Sequence, residues 1–218
     1  MVKAVVYDLD DLMVNSYPLH SIASDEVLKK YGVDLKEVND MRANFVGMRI
    51  SDILKMIVDR FDLKVSMGKL RKERSAIFLK LVREKLKSMP GLLNSLELIK
   101  KKDFKIAIAS SGTREYINTV IAKFKISSYF DLIVSGDDVK KGKPDPETYI
   151  VTSKKMGLDP GEIVVLEDAT NGIAAAKSAG CWCIAIKNPY TPYQDLSKAD
   201  LFIDSLGNLS LKIINSFN

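Results

Sequence analysis

The sequence predicts an α/β fold, with a Rossmann-like parallel-sheet core, helices on both faces, and an α-helical cap inserted after the first strand. Three observations predict it. Short apolar runs alternate with longer helical patterns along most of the chain, as in successive βαβ units. The runs are continuous rather than polar at every second residue, as expected of strands covered on both faces. Residues 17–88 break the alternation, with helical periodicity and no convincing strand.

Strands are predicted over 3–7, 105–109, 130–134, 163–166 and 182–186, with a sixth at an edge over 200–203. Helices are predicted between them, over 114–126, 146–157 and 171–179. Asp145-Pro146-Glu147 reads as a helix start, with Asp145 as cap and Pro146 at the first helical position. Gly180 follows the Ala-rich run 174–179 as a helix-ending glycine. Within the insertion, Ile50, Ile53, Leu54, Ile57 and Val58 recur at helical spacing. Ser88-Met89-Pro90-Gly91 then punctuates the return to the sheet. The core is therefore assigned to residues 1–14 and 90–218, and the cap to 15–89.

Composition excludes several classes. Hydrophobic residues make up 46% and charged residues 28%, which rules out a disordered tail, a collagen-like repeat and a coiled coil. No run approaches 18 apolar residues, so no membrane span is expected. The first ten residues, with acids and no small-residue cleavage site, do not read as a signal peptide. Cys181 and Cys183 lie two apart in an apolar run, too close to bridge along one strand, and read as sheet packing. A cytoplasmic location is the expectation. The net charge of +5 is uneven, since residues 15–92 hold 16 basic and 10 acidic side chains. The densest stretch, 69–74, reads as a solvated helix face or a diffuse attraction for anions. Without aromatic interleaving or zinc spacing, a nucleic-acid partner is not expected.

Chemistry concentrates just beyond the strands. The first ends in Asp8-Leu9-Asp10, the second in Ser110-Ser111-Gly112-Thr113, and the fourth in Glu167-Asp168; Lys143 sits in the loop after the third. In open parallel sheets ligands bind beyond the carboxyl ends of the strands, so these groups converge on one site. Carboxylates so close repel one another unless a cation lies between them, and oxygen-only donors suit Mg²⁺. A metal beside a lysine suits a phosphoryl group. Asp8 can then be the nucleophile and Asp10 the general acid and base. Ser110, with backbone N–H groups near Ser111 and Gly112, can hold the transferring oxygens, and Lys143 can offset their charge.

These motifs resemble the haloacid-dehalogenase superfamily, in the branch with a helical cap after the first strand. Asp8-Leu9-Asp10-Asp11-Leu12, Ser110, Lys143-Pro144-Asp145-Pro146 and Glu167-Asp168-Ala169-Thr170-Asn171-Gly172 carry the resemblance. It is similar to β-phosphoglucomutases and related sugar-phosphate phosphatases. The resemblance implies metal ligation by Asp8, the backbone carbonyl of Asp10, and Asp168, with Glu167 close by. It also places Arg49, in the segment 47–52, facing substrate; separately, the sole histidine, His20, lies near the first linker and the mouth and reads as a supporting polar group. Two positions depart from the pattern: Asp11 stands where Gly is usual, and Asn15 where many relatives have Asp. The expected function is a Mg²⁺-dependent phosphatase of small phosphorylated metabolites, such as sugar phosphates, acting through an aspartyl-phosphate. A β-phosphoglucomutase-type phosphomutase is the alternative. A dehalogenase would not call for Asp10, and a phospho-receiver module would lack the insertion. A monomer is expected, with a dimer left open.

Overall fold

A computed structural model describes residues 1–217, the side chain of Ala43 apart. Its strands form one parallel sheet of β1 (Ala4–Tyr7), β2 (Lys105–Ala109), β3 (Leu132–Val134), β4 (Ile163–Glu167), β5 (Trp182–Ile186) and β6 (Leu201–Ile203). The order is β3-β2-β1-β4-β5-β6, so the chain reverses its direction of travel across the sheet on either side of β1. Tyr7 pairs with Ile108 on one side and Leu166 on the other. That register brings Asp8, Ser110 and Glu167 to the same edge.

The β-strand period of two sorts the apolar residues by face. Val5, Tyr7, Ile106, Ile108, Val164 and Leu166 point into one core layer. There they meet α5 (Leu92–Lys100) and α6 (Arg114–Phe124) through Leu96, Ile99, Ile117 and Val120. Ala4, Val6, Ala107, Ala109 and Ala185 point the other way, against Tyr149 of α7 (Glu147–Met156) and Ile173 of α8 (Thr170–Ser178). The alanines on this face let α7 and α8 lie close to the sheet. Each fully buried Val, Leu or Ile contributes about 1.5–3 kcal/mol by leaving water.

Local chemistry moves some boundaries. The edge strand β3 begins at Leu132 rather than 130 because Asp131 takes over the pairing. Its N–H donates to Ile106 O and its Oδ2 accepts from Ile106 N, both at 2.8 Å. Helix α6 stops at Phe124, where Lys125 turns left-handed at φ 55°. Helix α7 starts one residue later than expected, yet Asp145 Oδ1 does accept the Glu147 N–H at 3.0 Å. Helices α5 and α9 (Leu211–Asn215) were not anticipated.

Residues 17–85 form α1 (Tyr17–Lys30), α2 (Leu35–Phe45), α3 (Ile50–Arg60) and α4 (Met67–Lys85). These helices bury apolar clusters of their own, Leu28, Val33, Val38 and Ile57 in one and Val27, Leu54 and Leu70 in another. The two segments that connect them to the sheet run antiparallel. Val14 bridges Ser88, Asn15 N–H donates to Lys87 O, and Met89 N–H donates to Met13 O. Among the described residues no helix is long and apolar enough to cross a membrane. Cys181 and Cys183 are free and buried, and burial pushes the Cys181 thiol up to about 12.

Candidate active site

Strands β1, β2 and β4 deliver Asp8, Ser110 and Glu167 at their carboxyl ends. Lys143, its side chain fully buried, reaches between two acids. Its Nζ donates to Asp8 Oδ1 at 2.5 Å, to Glu167 Oε1 at 2.6 Å and to Ala109 O at 3.2 Å. An ammonium has three donors, and all three are used. Tyr149 OH also donates to Glu167 Oε1, at 2.6 Å. Glu167 Oε2 accepts the N–H groups of Asp168 and Ala169 at 3.1 and 3.4 Å. Glu167 is thus occupied on both oxygens, as the counter-ion of Lys143. Gly172 is what gives it room, since a Cβ there would stand 1.9 Å from Glu167 Oε1.

Negative charge exceeds positive at this floor. Asp8, Glu167 and Asp168 are buried and offer oxygens within 4.8 Å of one another. Burial pushes the Asp8 carboxyl well above the usual range; Lys143 opposes the rise, and Glu167 and Asp10 add to it. Burial does the same to Asp168, reinforced by Asp11, Glu167 and Asp8. Burial also works against the charge of Lys143, but Asp8 and Glu167 outweigh it and raise its pKa. Asp168 Oδ2 is buried with no hydrogen-bond partner among the described residues. A buried, orphaned carboxylate oxygen facing like charges is costly unless a cation meets it. The donor set is all oxygen, which fits a hard divalent cation.

Asp10 lies beside this floor, held through one oxygen. Its Oδ1 accepts from Ser16 Oγ at 2.6 Å, Tyr116 OH at 2.7 Å and His20 Nε2 at 3.3 Å. Ser110 Oγ lies 3.5 Å from Asp10 Oδ2, at the outer limit of a hydrogen bond, and accepts the Gly112 N–H at 3.0 Å. Burial pushes Asp10 up, but the hydrogen bonds from His20, Ser16 and Tyr116 bring it below the usual range. Arg74 Nη2 lies 2.5 Å from His20 Nδ1. Arginine only donates, so Nδ1 is the acceptor and His20 is the neutral Nε2–H tautomer that donates to Asp10. Burial first, and the Arg74 charge second, hold the His20 pKa down. Arg74 is itself buried, also bound to Ser24 Oγ at 3.1 Å and set over the Phe78 ring. Burial lowers its pKa to about 10. The basic stretch 69–74 is therefore not uniformly a solvated face: Arg74 turns inward.

Asp11 occupies a left-handed turn at φ 64°, a conformation Asp tolerates better than most residues. Its Oδ1 accepts the N–H groups of Ser16 and Tyr17 at 3.0 and 2.8 Å, which caps the start of α1. Burial, then the Asp10 charge, raises its pKa to about 7.

A cavity of about 510 Å³ opens above, between the sheet edge and helices α1–α4. Asp8, Asp10, His20, Ser111 and Gly112 line it; Ser110 and Lys143 touch those residues without lining it. Arg49 does not line it. Its Nε and Nη2 fork onto Asp52 at 2.9 and 3.1 Å, and Nη1 donates to Val139 O at 3.2 Å. The neighbouring loop is tied down by Ser111 Oγ on Gly47 O and Asn171 Nδ2 on Val46 O, both at 2.8 Å. Among the described residues of the insertion, Arg42, Arg71, Lys72 and Arg74 line the cavity and no carboxylate does.

Residues 5–186 match the haloacid dehalogenase-like hydrolase family. The chain belongs to that family. It is 32% identical to a phosphorylated carbohydrates phosphatase of Thermotoga maritima over 178 residues, 82% of each chain. Hexitol phosphatase B of Escherichia coli is 29% identical over 217 residues, 97% of this chain and 96% of that one. The structure of CbbY from Rhodobacter sphaeroides in complex with phosphate has the same fold. Its TM-score is 0.87 at 23% identity, over 99% of this chain and 100% of that one. A β-phosphoglucomutase from Clostridium difficile gives a TM-score of 0.85 at 25% identity, over 100% and 97%. This haloacid dehalogenase-like hydrolase is an enzyme of the phosphoric monoester hydrolase class.

Sequence reasoning missed Ser16 and Tyr149, which donate to Asp10 and Glu167, and also Tyr116 and Arg74 of this hydrolase's site. Tyr116 was visible only as an aromatic residue on the first turn after Ser110-Ser111-Gly112-Thr113, and Arg74 only as one cation in a basic run. Neither spacing nor composition says that both point at the Asp10 cluster.

Proposed function

We propose that the chain is a Mg²⁺-dependent phosphatase of small phosphorylated metabolites, with sugar phosphates as the substrate class, acting through an aspartyl-phosphate on Asp8. The carrying observation is that Asp8, fixed by Lys143, and Asp10, held by three donors, line one cavity. Lys143 engages Asp8 Oδ1 only, so the other oxygen is available to attack phosphorus. Asp10 protonates the departing oxygen, then takes a proton from the attacking water. Ser110 and the N–H groups near Ser111 and Gly112 hold phosphoryl oxygens, and Lys143 offsets the charge gathered at the floor. Asp8, Asp168 and the backbone carbonyl of Asp10 would hold Mg²⁺, which supplies positive charge to those oxygens; Glu167, already saturated, orders Lys143 and the turn to Asp168. The relatives named for phosphorylated carbohydrates and hexitols support the substrate class.

The phosphomutase alternative needs a second phosphate site in the cap, and Arg49, the motif candidate for it, is bound to Asp52 and Val139. Arg71 and Lys72 of the cap also line the cavity, but no motif assigns them a phosphate, and the relatives named as phosphatases favour water as the acceptor we assign. The test is phosphate release from para-nitrophenyl phosphate and a panel of metabolite esters, with Mg²⁺ and with chelator. Release that requires Mg²⁺ and favours sugar phosphates is expected. With β-glucose 1-phosphate and a trace of its bisphosphate, rapid glucose 6-phosphate with little free phosphate would establish the mutase instead.

A further inference from the structure

We infer that Tyr116 is a positioning residue for Asp10, and that with Ser16 and His20 it leaves Oδ2 as the oxygen that carries the transferred proton. The inference rests on the reading of Asp10 as general acid and base. Three donors converge on Asp10 Oδ1, at 2.6, 2.7 and 3.3 Å. A proton on that oxygen would have to displace one of them. On Oδ2 the one hydrogen-bond partner among the described residues is Ser110 Oγ at 3.5 Å, so a proton is accommodated there without loss of any strong bond. The step balances on that atom. As the bond from phosphorus to the leaving oxygen breaks, that oxygen keeps the electron pair and takes the proton from Oδ2. Water then attacks phosphorus and gives a proton back to Oδ2, while the bond from phosphorus to Asp8 breaks and releases phosphate.

The three donors come from different parts of the chain. Ser16 and His20 stand at the entry to α1 and within it, so they belong to the segment leading into the inserted helices. Tyr116 alone comes from α6, on the sheet side, and fixes Asp10 to the core that carries Asp8. The ring is 3% exposed and packs on Phe78 at 4.9 Å between centroids, with His20 at 6.1 Å. Its hydroxyl donates at 2.7 Å to an oxygen of an ionised carboxylate, which can only accept. The ring also explains Gly112. A Cβ there would stand 2.7 Å from Tyr116 Cδ1, so the glycine leaves the space the ring occupies.

Tyr116→Phe removes the hydroxyl and keeps the ring. The readout is kcat/KM, which contains only steps through departure of the leaving group, on an alkyl ester (the preferred hexose phosphate) and on para-nitrophenyl phosphate. An alkoxide needs the proton far more than para-nitrophenolate does. We expect the alkyl ester to lose about tenfold, equivalent to about 1.4 kcal/mol of barrier, and para-nitrophenyl phosphate less than about threefold. A purely structural role for Tyr116 would lower both esters equally, and that result, like no loss on either, overturns the inference. Asp10→Asn, measured in parallel, separates the two levels. If it too lowers both esters equally, Asp10 is not the acid and the functional reading fails. If Asp10→Asn is selective and Tyr116→Phe is not, only the present inference fails.

Discussion

Replacing Lys143 by Met removes the one ammonium between Asp8 and Glu167. The Lys143 side chain is 0% exposed, and those of Asp8 and Glu167 are 9% and 1% exposed. Breaking a buried pair by deleting one partner costs about 3–5 kcal/mol, because the surviving charge stays desolvated. For a chain of this size about 1 kcal/mol moves the midpoint of melting by roughly 2–4 °C, so the variant should melt about 6–20 °C below wild type. The sign of the pH dependence follows from the carboxylates. Asp8 already has its pKa raised by burial, and without Lys143, which holds it down, it rises further. A carboxyl raised in the folded state contributes stability below its unfolded value and loses it as pH rises through the folded value. The gap between wild type and Lys143→Met should therefore widen from pH 5 to pH 8. The assay is thermal unfolding by circular dichroism in chelator at both values. A variant melting within about 2 °C of wild type at pH 8 would refute the desolvated-pair reasoning.

Arg49→Ala should change KM for para-nitrophenyl phosphate less than about twofold, because its donors are spent on Asp52 and Val139 rather than in the cavity. Its stability cost should stay within about 1 kcal/mol, as for a partly exposed ion pair. A tenfold rise in KM would put Arg49 on the substrate. Asp11→Asn should keep the α1 cap, since the amide oxygen can accept the same Ser16 and Tyr17 N–H groups. In chelator it should gain stability relative to wild type as pH rises from about 4 to about 7, the window over which raised Asp11 loses its contribution. Urea midpoints at pH 4.5 and 7.5 measure this, and a constant difference would show that Asp11 ionises freely in the fold.

What the sequence revealed were features carried by contiguous residues. Continuous apolar runs marked the strands, and a parallel sheet aligns their carboxyl ends, so Asp8, Ser110 and Asp168 were legible as one cluster before any coordinate. Lys143 was legible as well, because its loop follows β3. The missing parts depend on direction rather than spacing. Arg74 belongs to a helix face whose other cations, Arg71 and Lys72, are exposed, and only the packing of α4 on α1 turns it toward His20. Tyr116 needed the path of α6, and Arg49 needed the Asp52 side chain three residues on. Helix α5 carries Leu92, Leu96 and Ile99 at helical spacing, a signal present in the sequence but too short to stand out beside the motifs.

The central claim is that Asp8 is the nucleophile to phosphorus, and Asp8→Asn tests it most directly. The amide matches the carboxylate in volume, so the fold should persist, but it is a poor nucleophile and a poor metal ligand. Phosphate release on the preferred ester with saturating Mg²⁺, from protein with the far-ultraviolet circular dichroism of wild type, is the measurement. Turnover below about 1% of wild type is expected, a loss of more than about 2.7 kcal/mol in transition-state stabilisation. A well-folded Asp8→Asn enzyme that retains more than a few per cent of the wild-type rate would contradict the claim.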